Sequence, residues 1–152
     1  MGGSSSCSSG SGSSSSGSGS SSSGGGRGGG PVPSKDRNTG EPIGKDGYIP
    51  YYGDVLSRPV TLLVSHWGVY IGNGRVIELL DDEYLHNNNI YHKDWYGFSK
   101  VDNKDVVHDT RVGDRAVALY KEYDDGNKKY GYNLYTNNCK DFCKLCVRQR
   151  YI

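Results

Sequence analysis

The first 30 residues of this 152-residue chain lack nearly everything a folded core needs. They are all Gly or Ser apart from Met1, Cys7 and Arg27. Such a composition cannot bury apolar surface, so residues 1–30 read as a disordered tail. Excess charge is missing too: the chain has 18 Lys+Arg and 17 Asp+Glu, and Arg27 is the only charge in the tail. The remaining part is balanced, which argues against nucleic acid as a partner. Long apolar runs are absent. The longest, Val60 to Val64 with Thr61 inside it, falls far short of the roughly 20 residues a bilayer span needs, and the N-terminus has no apolar stretch of the secretory kind. Cysteine is scarce: Cys7 lies in the tail and Cys139, Cys143 and Cys146 crowd into one segment. That distribution makes a poor disulfide framework and suits a reducing, cytoplasmic compartment.

What is present divides into a tail (1–30), an irregular linker (31–50) and one small domain (51–152). The opening Met1-Gly2-Gly3-Ser4-Ser5-Ser6 matches the N-myristoylation pattern at Gly2, and Cys7 follows where a palmitoyl group can be added. A Gly/Ser tail also matches by chance. Two lipids would hold the protein peripherally on a membrane, where one myristoyl chain binds only marginally. Residues 31–50 carry four of the five prolines, and contact with the domain is expected from Gly47 to Pro50.

Within the domain, Gly53 to Leu56 reads as a short strand, interrupted by Pro59, and Val60 to Val64 leads into a histidine-bearing strand. Residues 81–109 are rich in Asn, Asp, Tyr and His. They read as long loops with one or two edge strands, around Ile90-Tyr91 and Val106-Val107. Ala116, Leu119, Tyr120 and Tyr123 recur at helical spacing, which predicts a helix from Gly113 to Tyr123 ended by Gly126. Tyr132 to Tyr135 is an extended lead-in. A second helix follows, with Asn138 or Asn137 as N-cap, Asp141 in its first turn and a stripe of Cys139, Phe142, Cys143, Cys146 and Val147. The expected fold class is α+β, a small antiparallel sheet with two to three helices.

The chemistry centres on two stretches. A cysteine at the first position of a helix meets backbone N–H groups and a dipole that favour the thiolate, which places Cys139 for nucleophilic work. It also falls on the apolar stripe, where a small buried residue would serve as well. A thiol nucleophile needs a base, and His66, at the head of Ser65-His66-Trp67-Gly68-Val69-Tyr70-Ile71, is the candidate among four histidines; a hydrogen-bonded structural histidine is the plainer alternative. His86, His92 and His108 sit in loop-like sequence and read as surface residues.

Glu78, on the returning strand, is tied to His66 by the turn. With a two-residue Asn73-Gly74 turn, paired positions would sum to 147 and Glu78 would point away from His66. With a three-residue loop, Gly72-Asn73-Gly74, they sum to 146. Glu78 then sits opposite Gly68 and diagonal to His66 on one face, roughly 7 to 8 Å apart at Cα. The expectation is the three-residue loop, with Gly74 left-handed and Glu78 orienting the imidazole as a triad's third member does. A solvated glutamate is the alternative. The spacing Cys139-x3-Cys143-x2-Cys146 matches an iron–sulfur loop but lies on a helix with no barrel to follow, and a zinc site lacks a fourth ligand. No metal or cofactor is expected.

These residues resemble the lecithin:retinol acyltransferase-like (LRAT-like) family, which includes the HRAS-like suppressor phospholipases/acyltransferases, within the NlpC-type circularly permuted papain-like enzymes. The resemblance is carried by Gly53-Asp54-Val55-Leu56, Arg58-Pro59, His66 to Gly74 with Val76-Ile77-x-Leu79, and Tyr132-x-Leu134 leading to Asn138-Cys139-x-x-Phe142. It implies Cys139 as nucleophile, His66 as base and a thioester acyl-enzyme loaded from a phospholipid or other acyl ester. It implies no cofactor. The family usually has a second histidine where this chain has Glu78. Many animal members also carry a C-terminal membrane helix that is not matched here, a role the lipids at Gly2 and Cys7 would take over. A cysteine peptidase or amidase of the same superfamily and an inactive, lipid-anchored scaffold are the rival expectations.

Overall fold

The computed structural model describes residues 30–101, 109–133 and 138–149. The expectations for the tail with Gly2 and Cys7, for Val106, Val107 and His108, for Leu134 and Tyr135, and for Asn137 lie outside these residues. The architecture is α+β, with antiparallel sheets and two α-helices.

A small hairpin comes first, β1 (Ser34–Lys35) with β2 (Pro42–Ile43). The main sheet follows as a meander of β3 (Val55–Pro59), β4 (Ser65–Tyr70), β5 (Arg75–Leu79) and β6 (Leu85–Asn89). The short β7 (Ser99–Lys100) returns beside β3, giving the order β6-β5-β4-β3-β7 with every pairing antiparallel. Helix α1 (Thr110–Glu122) and helix α2 (Cys139–Gln149) complete the domain.

Strand alternation sends the apolar residues to two separate cores. On one face Val55, Val69, Ile77, Leu79 and Leu85 pack against Val112, Ala116 and Leu119 of α1 and Phe142, Cys143 and Cys146 of α2. On the other, Leu56, Tyr70 and Val76 pack against Ile90, Trp95 and Phe98, with Tyr48 and Tyr91 at the margin. Among the described residues no α-helix covers this second face. Loop residues do, and at roughly 1.5 to 3 kcal/mol for each large side chain fully buried they contribute as a helix would.

Residues 31–50 belong to that cover rather than to a loose linker. Lys45 N–H donates to the Phe98 carbonyl, Tyr70 Oη donates to the Glu41 carboxylate and Tyr48 Oη to the Asp54 carboxylate. Contact therefore begins well before Gly47. Val60 to Val64, apolar enough to suggest a strand, forms the β3–β4 turn instead. Among the described residues no helix is long and apolar enough to cross a membrane.

Candidate active site

The hairpin between β4 and β5 decides which groups meet. Val69 pairs with Ile77 and Tyr70 with Val76, and Ile71 N–H donates to the Arg75 carbonyl, so every pair sums to 146 as the three-residue loop requires. The tip shows how. Arg75 N–H donates to the Gly72 carbonyl around Asn73 (φ 53°) and Gly74 (φ 73°), a primed turn, and Gly72 (φ 82°) is the extra residue that moves the register by one. All three lie in the left-handed region, where Gly and Asn are the residues at least cost.

With this register His66 and Glu78 point to the same side. His66 Nε2 lies 2.6 Å from Glu78 Oε1, both side chains fully buried. Glu78 Oε2 accepts a second hydrogen bond from Asn88 Nδ2 at 2.7 Å. The space left by Gly68 is not open between them: a Cβ there would come within 2.6 Å of Val76 Cγ1 and 3.2 Å of the Trp95 ring. Arg58 pairs directly with His66 across β3 and β4, is itself buried, and lays its guanidinium 5.2 Å from the Trp95 ring centre. The Trp95 ring meets His66 edge-on at 5.9 Å.

Electrostatics assign the protons. Burial is the largest influence on His66 and lowers its pKa, so the ring is neutral. Burial alone would raise Glu78, but the His66 hydrogen bond, the Arg58 charge and the Asn88 amide together hold it below its ordinary value. A neutral ring beside an ionised carboxylate satisfies both burial and the Arg58 and Asn88 contacts. An ionised carboxylate only accepts, so Nε2 carries the hydrogen and Nδ1 keeps the lone pair. Nδ1 is buried and has no hydrogen-bond partner among the described residues. Arg58 is lowered by burial, against the pull of Glu78 and Asp94.

Cys139 is the first residue of α2 and is buried. Asn138 caps the helix, its Oδ1 accepting from Lys140 N–H at 3.0 Å and Asp141 N–H at 3.1 Å, while Asp141 Oδ2 accepts from Asn138 N–H at 3.1 Å. This is a reciprocal capping box with Asp in the third position. Phe142 N–H goes to the Asn138 carbonyl. Cys143 and Cys146 are free thiols.

The structure thus joins two of the three expected site residues and leaves the third unjoined to them. Helix α2 packs against both β4 and β5, but its stripe meets the Val69 and Ile77 face, whereas alternation gives His66 and Glu78 to the face of Tyr70 and Val76. No hydrogen bond joins His66 to Cys139 among the described residues. The β4–β5 ladder stops at Val69 and Ile77, although β4 runs back to Ser65 with β3 and β5 on to Leu79 with β6.

Sequence reasoning missed Arg58, Trp95 and Asn88 as members of this cluster. Arg58 follows once β3 and β4 are paired about Val60–Val64. Asn88 needed the recognition that Leu85-His86-Asn87-Asn88-Asn89 is a strand, which its polar composition conceals. His86 hydrogen-bonds Asp82 at 2.8 Å near the surface, and His92 accepts from Asp94 N–H to open a short helical turn. No protein-family model matches the chain, and no curated protein matches it.

Proposed function

We propose that the chain is a thiol acyltransferase or phospholipase built on the LRAT-like, permuted papain-like plan, with Cys139 as nucleophile, His66 as general base and Glu78 as the residue that orients His66. The observation that carries this reading is the buried His66 Nε2–Glu78 bond of 2.6 Å, which fixes the imidazole with Nδ1 as its basic nitrogen and gives that nitrogen no other partner. The order of motifs along the chain adds the second support.

The chemistry acts through the reduced thiol. His66 Nδ1 takes the Sγ proton, the thiolate attacks an ester carbonyl, and the Cys139 N–H at the helix start stabilises the oxyanion. Collapse expels the alcohol, which recovers the proton from the imidazolium, and leaves a thioester. Water, an amine or an alcohol then attacks the thioester, gives its proton to His66 and releases the acyl group. The thiolate is reprotonated, and ionised Glu78 stabilises the imidazolium in each half.

A second reading, a non-catalytic scaffold that keeps the fold, is favoured by the complete burial of His66 and by its place on the sheet face turned away from α2. The full chain, reduced and incubated with an acyl-ester or fluorophosphonate probe, separates the two. Intact mass and peptide mapping place one adduct on Cys139 in wild type and none in Cys139→Ser or His66→Asn. A reduced, folded wild type that takes no label selects the scaffold.

A further inference from the structure

The β3–β4 turn carries an arrangement that the thiol chemistry does not use. Val60 and Thr61 N–H both donate to the Val64 carbonyl, at 2.9 and 3.1 Å. Thr61 Oγ1 accepts from Leu63 N–H at 3.3 Å and Val64 N–H at 3.1 Å. The backbone of the turn is therefore satisfied internally, and it holds Leu62 and Leu63 outward at 99% and 92% exposure, the two most exposed large apolar side chains among the described residues. A turn needs neither leucine for its own geometry. Two adjacent leucines on a convex tip also offer no groove for a partner's side chains.

Three further observations select a lipid surface. At the base of the tip lies a cavity of about 340 Å³ lined by Pro59, Val60, Lys93 and Tyr96. Tyr96 is 54% exposed and the Lys93 side chain 49%, its ammonium in only a loose 3.4 Å pair with Asp94. An aromatic ring and a cation set just behind protruding apolar side chains match the layering of a bilayer, acyl chains first and headgroups next, with the cation complementary to anionic lipid. Gly30 and Pro31 line the same cavity.

We infer that the β3–β4 turn is a membrane-docking tip, in which Leu62 and Leu63 enter the acyl region of an anionic bilayer while Tyr96 and Lys93 sit at headgroup level. This inference is independent of catalysis. It is tested with the full chain made in bacteria, which carries no acyl groups, by co-sedimentation with vesicles of phosphatidylcholine alone and of phosphatidylcholine with phosphatidylserine. Wild type binds both and prefers phosphatidylserine. Leu62→Ser/Leu63→Ser melts like wild type, because neither side chain is buried, and loses about tenfold or more in vesicle affinity. Lys93→Glu removes the phosphatidylserine preference, and Leu63→Trp binds with its fluorescence quenched by brominated acyl chains. Equal binding of the double-serine variant overturns the inference, as does a wild type that ignores both vesicles. A concentration-dependent dimer that the double variant abolishes, without vesicle binding, would assign the tip to a second copy instead.

Discussion

Glu78→Gln tests the electrostatic core of the site most directly, because it keeps the shape of the side chain and removes only its charge. Hydrogen bonds from His66 and Asn88 and the Arg58 charge hold Glu78 below its ordinary 4.5, toward about 2, so ionised Glu78 contributes on the order of 1 to 3 kcal/mol relative to its neutral form at neutral pH. Gln mimics that neutral form. Its oxygen can serve His66 Nε2–H or its amide can face Asn88 Nδ2, but the amide and Asn88 then present donor to donor unless Asn88 turns over. Arg58 also loses a buried counter-charge. The expected loss at pH 7 is therefore about 1 to 3 kcal/mol, a substantial part of the 5 to 15 kcal/mol typical of a domain. The sign with pH follows from the depressed value: the stabilisation is fully present above about 4.5 and is lost as pH falls toward about 2. His66, lowered by burial, adds an earlier loss, since the unfolded chain takes up a proton below about 6.5 that the folded ring resists. Urea unfolding of reduced wild type and variant, followed by tryptophan fluorescence at a series of pH values, should show the two curves converging as pH is lowered from 5. A variant within about 0.5 kcal/mol of wild type at pH 7 would refute the ionised Glu78, being no larger than an ordinary surface substitution. An unchanged gap at all pH values would show that the cost is one of packing.

Two other outcomes follow from the same geometry. Burial pushes the Cys146 thiol up to about 12 and Cys143 higher than an ordinary thiol, so under native, reducing conditions at pH 8 iodoacetamide should alkylate both on the order of a thousandfold more slowly than in urea, read by peptide mass spectrometry. Asn138→Ala removes the side-chain acceptor that caps Lys140 and Asp141 and should cost about 1 kcal/mol in urea unfolding, with Asn138→Asp close to wild type.

How far the chain can be read without coordinates differs from one element to the next. The β4–β5 register was legible because Gly72-Asn73-Gly74 admits few turns and a shift of one residue would have exposed Val69 and Ile77. The cap at Asn138 was legible because capping depends on residue type within three positions. Val60 to Val64 misled, since an apolar run signals burial only when something comes to cover it, and here Thr61 turns the chain and leaves Leu62 and Leu63 in solvent. The strand Leu85–Asn89 was concealed by its run of asparagines, whose poor strand propensity is overridden by pairing with β5. Helix α1 begins at Thr110, capped by the Asp109 carboxylate, three residues before the predicted start at Gly113. Glycine reads as a boundary, yet Gly113 lies inside the helix where Tyr52 crowds it and a Cβ would come within 2.4 Å of the ring. The relation between His66 and Cys139 was the least legible, because side-chain direction on a strand is local whereas the placement of α2 depends on both cores at once.

The short β4–β5 ladder gives the sheet a mechanical character of its own. Backbone pairing makes two ribbons, β7-β3-β4 and β5-β6, stitched together from the Gly72–Gly74 end and only as far as Val69 and Ile77. Beyond that point the His66–Glu78 bond spans the seam. It acts as a clasp: one side-chain contact, carried by a single carboxylate, links the two ribbons on the face turned away from α2.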